Sequence, residues 1–292
     1  MQLGIIVRAY GGFYYVKVDS KIWECKVRGR LRLNREKILP GDRVEMSEVS
    51  SGKGMIERIL PRTRELIRPA VANVQQVVIV MSLIRPEPNL GLLDRILVLT
   101  EVESLEPIIV FNKADLVAED IRHDLLEMYQ NAGYLAVATS ARTGMGVSDL
   151  KGHLRDQISI LAGPSGVGKS SLLNAVQPGL TLRTGEVSQK VGRGRHTTRY
   201  VQLLPLEDGM GLVADSPGFS VLALPNLKRE ELSCYFRELD ELTGRCRFNS
   251  CLHRSEPDCV VKQALQEGSI DNRRYQSYLL FLQEVIANEQ RY

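Results

Sequence analysis

Asn112-Lys113-Ala114-Asp115 stands ahead of Gly163-Pro164-Ser165-Gly166-Val167-Gly168-Lys169-Ser170, and that order decides how the chain is read. The first tract matches N-K-x-D, a loop that selects guanine. The second matches G-x-x-x-x-G-K-[ST], a phosphate-binding P-loop. In an ordinary GTP-binding domain the P-loop comes first. Here the guanine loop is followed by Thr139-Ser140-Ala141, then the P-loop, then Asp215-Ser216-Pro217-Gly218, which fits the D-x-x-G switch. The domain is therefore expected to be circularly permuted.

Each tract carries a chemical reason for its residues. Glycines let backbone N–H groups turn inward around phosphate oxygens, and the helix that follows adds its positive N-terminal end. Lys169 is expected to reach the β and γ phosphates and Ser170 to bind Mg²⁺, with Ser171 next to it in the nucleotide site. Guanine presents two adjacent donors, N1–H and the exocyclic amine, and one carboxylate, Asp115, can accept both. Adenine would leave that carboxylate unpaired. Asn112 braces the loop and Lys113 covers the base face, while Ser140 and Ala141 fit the element whose backbone reads the guanine oxygen. Asp215 is expected to hold Mg²⁺ through water, and the Gly218 N–H to sense the γ-phosphate.

Between the P-loop and Asp215 lies Gly192-Arg193-Gly194-Arg195-His196-Thr197-Thr198-Arg199, Gly-rich and basic like a switch. Thr198 is the expected Mg²⁺-capping threonine, with Thr197 as the alternative. Phe219 occupies the place after D-x-x-G where many GTPases carry a water-positioning glutamine. Phenylalanine cannot orient water by hydrogen bonding, so His196 is the candidate catalytic residue, alongside Lys169 and Thr198.

The surrounding sequence supplies the architecture. Short β-rich runs at Gly4 to Val7, Phe13 to Val18, Ile22 to Val27 and Arg43 to Ser47 are separated by turn residues and suggest a small OB-like barrel. Ser51-Gly52-Lys53-Gly54 reads as a flexible loop and Pro61 to Pro69 as a linker. From Gln76 onward, apolar strands alternate with helical periods, the pattern of a doubly wound α/β sheet. The region after about residue 219 is mainly helical. The expected domains are 1–68, 69–220 and 221–292. Permutation places the end of the second just after the Asp215 motif, which tethers the third to it.

Charge is uneven. Residues 1–70 hold 15 Lys/Arg against 8 Asp/Glu, and residues 71–292 hold 23 against 27. The amino-terminal segment is thus a candidate polyanion-binding module. Arg28, Arg30, Arg32 and Arg35 suit a phosphate backbone, and Tyr14, Tyr15 and Trp23 are candidates for base stacking, although Trp23 also suits a core.

Cys246-x₄-Cys251-x-His253-x₅-Cys259 is a compact Cys₃His set. Three thiolates and one imidazole match a closed tetrahedral zinc site, structural rather than catalytic because no coordination position is left open. Cys25 and Cys234 are expected to be small buried apolar residues. No run approaches the roughly 18 apolar residues of a membrane helix, and the amino terminus lacks the marks of a signal peptide. A cytoplasmic protein with no membrane partner is expected.

Motif order, the Gly-Arg-His-Thr-Thr segment, the β-rich first domain and the terminal Cys/His cluster together resemble the RsgA (YjeQ) family of circularly permuted bacterial GTPases. The resemblance spans essentially all 292 residues. It implies an OB-fold, a permuted GTPase domain and a zinc domain working together on the 30S ribosomal subunit and its 16S rRNA, with GTP and GDP as ligands. It also points to a switch histidine, matched by His196. Gln75 departs from the Asp frequent in the family before the first strand of the GTPase domain. The expected activity is GTP hydrolysis by a monomer during late small-subunit maturation, stimulated by the 30S subunit. The alternative is a nucleotide-gated RNA-binding switch whose hydrolysis is incidental. A P-loop kinase is disfavoured because it needs no N-K-x-D loop.

Overall fold

The computed structural model describes residues 1–29, 37–67, 69–180, 201–207, 211–215 and 223–290, and only the backbone of Asp215. The chain divides into two compact units, one comprising Met1–Gln76, Ser148–Ala162 and Ser170–Phe219, the other Val77–Val147, Gly163–Lys169 and Ser220–Tyr292.

The first unit opens with a closed five-stranded barrel. Its strands are β1 (Gln2–Tyr10), β2 (Phe13–Val18), β3 (Lys21–Val27), β4 (Arg43–Ser50) and β5 (Lys53–Ile59), in the order β1-β2-β3-β5-β4. β3 and β5 run parallel and the other pairs antiparallel. Alternating side chains point inward, so Ile6, Val16, Trp23, Cys25, Val44, Met46 and Ile56 fill the interior. Trp23 is therefore core, not a stacking platform. β5 corrects a second expectation. Ser51 and Gly52 alone make the turn, and Lys53-Gly54 already belong to the fifth strand. A lysine and a glycine have weak strand preference, and barrel closure overrides it.

The expected linker contains a short strand. β6 (Glu65–Leu66) pairs with β7 (Val71–Ala72). The joint to the barrel is polar. Fully buried Asp42 accepts from the Leu39 N–H at 2.8 Å and from Arg62 Nε at 2.7 Å. Gly41, at φ +93°, could not carry a Cβ, which would sit 1.9 Å from the Ala72 carbonyl oxygen. The remaining strands described in this unit are β11 (Ile158–Ala162), β12 (Leu203–Pro205) and β13 (Leu212–Asp215). β11 and β13 are parallel, and β12 is antiparallel to β13. β12 was not anticipated; three residues are too few to show a period. Gln75 acts as a neutral clasp, since its side chain accepts from the Ile158 N–H at 2.7 Å.

In the second unit, the wholly buried strand β8 (Gln76–Ser82) neighbours β9 (Glu106–Asn112), which pairs in parallel with β10 (Leu135–Ala138). Helix α1 (Leu90–Val102) is capped by Asn89, whose side chain accepts from the Leu92 N–H. Helix α2 (Glu119–Asn131) connects β9 to β10. The carboxy-terminal part is mainly helical and ends in helix α7 (Asn272–Glu289), capped by Asp271. Its apolar stripe, including Tyr278, Phe281, Leu282 and Val285, packs with Phe236 and Leu239 and reaches Val98 of α1. Cys234 is exposed, contrary to expectation.

This packing surrounds a charge. Arg274 is 1% exposed, and its guanidinium donates to Glu238 at 2.8 and 3.1 Å and to Asp94 at 2.5 Å. The Phe236 ring lies 4.8 Å from it. Burial opposes the charge, but Asp94 and Glu238 outweigh burial and hold its pKa above the ordinary arginine value.

Candidate nucleotide and metal sites

The P-loop connects the end of β11 to helix α4 (Lys169–Val176). Its conformation demands glycine. Gly163 has φ +128°, and a Cβ there would lie 2.1 Å from the Val80 carbonyl oxygen; at Gly168 it would lie 2.4 Å from Asn112 Nδ2. Lys169 folds back over the loop and donates to the carbonyls of Gly163 at 2.8 Å and Pro164 at 3.0 Å.

The guanine-loop residues meet the P-loop through hydrogen bonds. Asn112 leaves β9 with its amide donating to the Val167 carbonyl at 2.9 Å, while its Oδ1 accepts from Thr139 Oγ1 and the Ala141 N–H, each at 3.3 Å. Lys113, at φ +62°, sends its ammonium to the carbonyls of Gly166 at 2.9 Å and Arg85. One asparagine thus ties three separate sequence tracts together. The Ser140 hydroxyl and Arg142, whose Nη2 lies 2.9 Å from Asp115 Oδ2, hold the Asp115 carboxyl below the usual carboxylate range. Asp115 therefore stands ionised as an acceptor at neutral pH. Arg142 was missed from sequence because it lies 27 residues from Asp115.

Other expected residues have varied standing. Pro164, Ser165 and Gly166 line the P-loop turn, Val167 is buried there, and Ser170 and Ser171 lie in the first turn of α4. The backbone of Asp215 ends β13, in register with Leu161 on β11. His196, Thr197, Thr198, Gly218 and Phe219 lie outside the described residues, as do Arg30, Arg32 and Arg35. On the barrel, Arg28 pairs with Glu57, and the Arg8 guanidinium sits 3.9 Å from the centre of the Tyr15 ring.

Cys246, Cys251, His253 and Cys259 converge, with their ligand atoms all within 4.8 Å of one another. Cys246 and Cys259 sulfurs are 3.9 Å apart, and His253 Nδ1 lies 3.6 and 3.5 Å from them. Zinc with Zn–S of about 2.3 Å and Zn–N of about 2.0 Å in tetrahedral geometry requires edges of roughly 3.8 and 3.6 Å. The cluster could hold such an ion. Burial lowers the His253 pKa, which favours the neutral, ligating ring. Burial also raises the Cys251 thiol to about 12, so a metal would have to displace that proton. Outer contacts fix the loop: Tyr275 donates to the His253 carbonyl at 2.7 Å, and Tyr278 to that of Leu252 at 2.8 Å. Glu256 accepts from the N–H groups of Leu252, Arg254 and Ser255.

Comparison with known proteins agrees with this geometry. The model of the RsgA GTPase family matches residues 59–225, and that of the RsgA N-terminal domain matches residues 3–56. Small ribosomal subunit biogenesis GTPase RsgA of Moorella thermoacetica is 56% identical over 286 residues, 98% of each chain. The protein of the same name from Caldanaerobacter subterraneus is 49% identical, covering 99% of this chain and 97% of the relative. The crystal structure of YjeQ from Thermotoga maritima superposes with a TM-score of 0.82 at 41% identity, over 98% of each chain. That of YloQ, described as a circularly permuted GTPase, gives 0.82 at 38% identity, over 99% of this chain and 96% of the other. With its closed barrel, its permuted motif order and these relatives, the chain belongs to the RsgA family of GTP hydrolases.

Proposed function

We propose that the protein binds the 30S ribosomal subunit and hydrolyses GTP during late small-subunit maturation. The observation that carries the nucleotide half is the hydrogen-bonded union of the base loop and the P-loop through Asn112 and Lys113. In this reading Asp115 accepts the two guanine donors, with Ser140 and Ala141 beside the base oxygen. Residues 163–171 cradle the phosphates. Lys169 exchanges its loop carbonyls for phosphate oxygens. Mg²⁺, which neutralises charge developing on the phosphates, is assigned to Ser170, Thr198 and Asp215. His196 is the candidate that orients the attacking water, and Gly218 senses the γ-phosphate.

Three functional segments follow: residues 1–68 dock on 16S rRNA, 69–220 bind and hydrolyse GTP, and 221–292 are held by structural Zn²⁺ on Cys246, Cys251, His253 and Cys259. The excess of cations in the first 70 residues and the name borne by the relatives support the ribosomal assignment. A monomer acting in the cytoplasm is part of the same reading. No described helix is long and apolar enough to cross a membrane.

The test is the GTPase rate of the full chain alone, with 30S subunits and with 50S subunits. Stimulation by 30S alone is expected. A rate indifferent to 30S, with nucleotide-dependent 30S binding retained, would favour the RNA-binding switch with incidental hydrolysis.

A further inference from the structure

We propose that Arg85 is a further nucleotide-binding residue, a cation anchored where the base loop meets the P-loop that raises affinity for the phosphates of guanine nucleotides. This rests on the assignment of residues 163–171 as the phosphate cradle. The backbone around Arg85 is tied to that place. The Leu83 N–H donates to the Asn112 carbonyl at 3.0 Å, Ser82 Oγ to the Ile84 carbonyl at 2.5 Å, and Lys113 Nζ to the Arg85 carbonyl. The same ammonium reaches the Gly166 carbonyl at 2.9 Å. Pro86 follows, and its Cδ lies 3.8 Å from where a Cβ on Gly166 would stand. Arg85 itself adopts φ +47°, a region that residues other than glycine seldom occupy and that clusters at ligand sites.

The Arg85 side chain is exposed, and no hydrogen bond, ion pair or ring contact holds it among the described residues. Its backbone is fixed and its guanidinium is unclaimed, so the side chain can turn toward a polyphosphate, whose oxygens match the guanidinium fork. Two hydrogen bonds through one ammonium separate the Arg85 and Gly166 carbonyls, less than the screening length of about 8 Å at physiological salt. Lys113 is assigned to the face of the base, so this seam lies toward the base end of the phosphate chain. The charge therefore acts alike on GDP and GTP.

Titration of the full chain with GDP at about 0.05 and 1 M salt reads the charge. Asparagine is the neutral substitute that tolerates the left-handed backbone. Arg85→Asn should weaken GDP about three- to tenfold at low salt. Arg85→Lys should stay within about twofold of the parent, and Arg85→Glu should lose about twice as much as Arg85→Asn on a logarithmic scale. At 1 M salt, where the screening length is about 3 Å, the series should converge to within about twofold. A non-hydrolysable GTP analogue should follow the same series. No loss in Arg85→Asn, equal losses for Asn and Glu, or losses that persist at high salt overturn the proposal. Lys169→Ala separates the two levels. If it binds GDP as the parent does, the phosphate-cradle assignment itself fails. If it loses GDP while the Arg85 series stays flat, the Arg85 proposal alone fails.

Discussion

Arg274→Met isolates the buried charge that joins the carboxy-terminal helices to the base-reading half of their unit. The substitution removes three donated hydrogen bonds and leaves Asp94 and Glu238, both nearly inaccessible, facing each other without a cation. Asp94 keeps only the Tyr129 hydroxyl, at 2.9 Å, among the partners described. Breaking a buried ion pair from one side costs about 3–5 kcal/mol, because the remaining charge is stranded in a medium that solvates it poorly. For a unit of about 150 residues, 4 kcal/mol corresponds to a fall of roughly 8–16 °C in melting temperature. Differential scanning calorimetry of the full chain reads this directly. The triple variant Asp94→Asn, Glu238→Gln, Arg274→Met, which removes the stranded charges, should recover much of the loss, since apolar replacement of a whole buried ion network is often neutral. The disturbance should also reach the nucleotide site. Tyr129 packs on Phe111, ring centres 5.9 Å apart, and Phe111 precedes Asn112. A single variant within about 1 kcal/mol of the parent, or a triple variant no more stable than the single, would refute the stranded-charge account.

Four further outcomes are expected. Gly163→Ala should weaken GTP binding by at least about tenfold, since its Cβ meets the Val80 carbonyl and its φ of +128° excludes alanine; nucleotide titration checks this. Elemental analysis should find about one zinc per chain, lost in Cys251→Ser or Cys259→Ser, with faster amide exchange at 246–259 and a retained GTP-binding core. His196→Ala should cut 30S-stimulated turnover about 10²-fold or more with little change in GTP affinity, as befits a group felt in the transition state; full turnover would remove it from catalysis. Arg95 holds Glu284, and Arg273 holds Asp271, below the ordinary carboxylate range. Both carboxylates then contribute stability that is present above the ordinary pKa of about 4 and is lost as pH falls through the lowered values. The urea midpoint should decline from about pH 5 to pH 3, and Glu284→Gln should flatten that decline.

The sequence alone determined the motif order, the barrel, the alternation of strands and helices, and the Cys₃His set. These signals are local. A glycine forced to positive φ, a run of buried strand residues or four ligands within 14 positions leaves its mark within a few residues. Boundaries failed where local preference was weak, as at Lys53-Gly54, which the closing barrel recruits, and at the three-residue strand β12. Trp23 could have served core or surface, because alternation fixes a face only once the barrel's interior is known. Tertiary structure alone paired Arg142 with Asp115 and set Arg274 against Asp94, 180 residues away. Electrostatic partnership depends on distance in space and on exclusion of water. Neither is written in the spacing of residues along the chain.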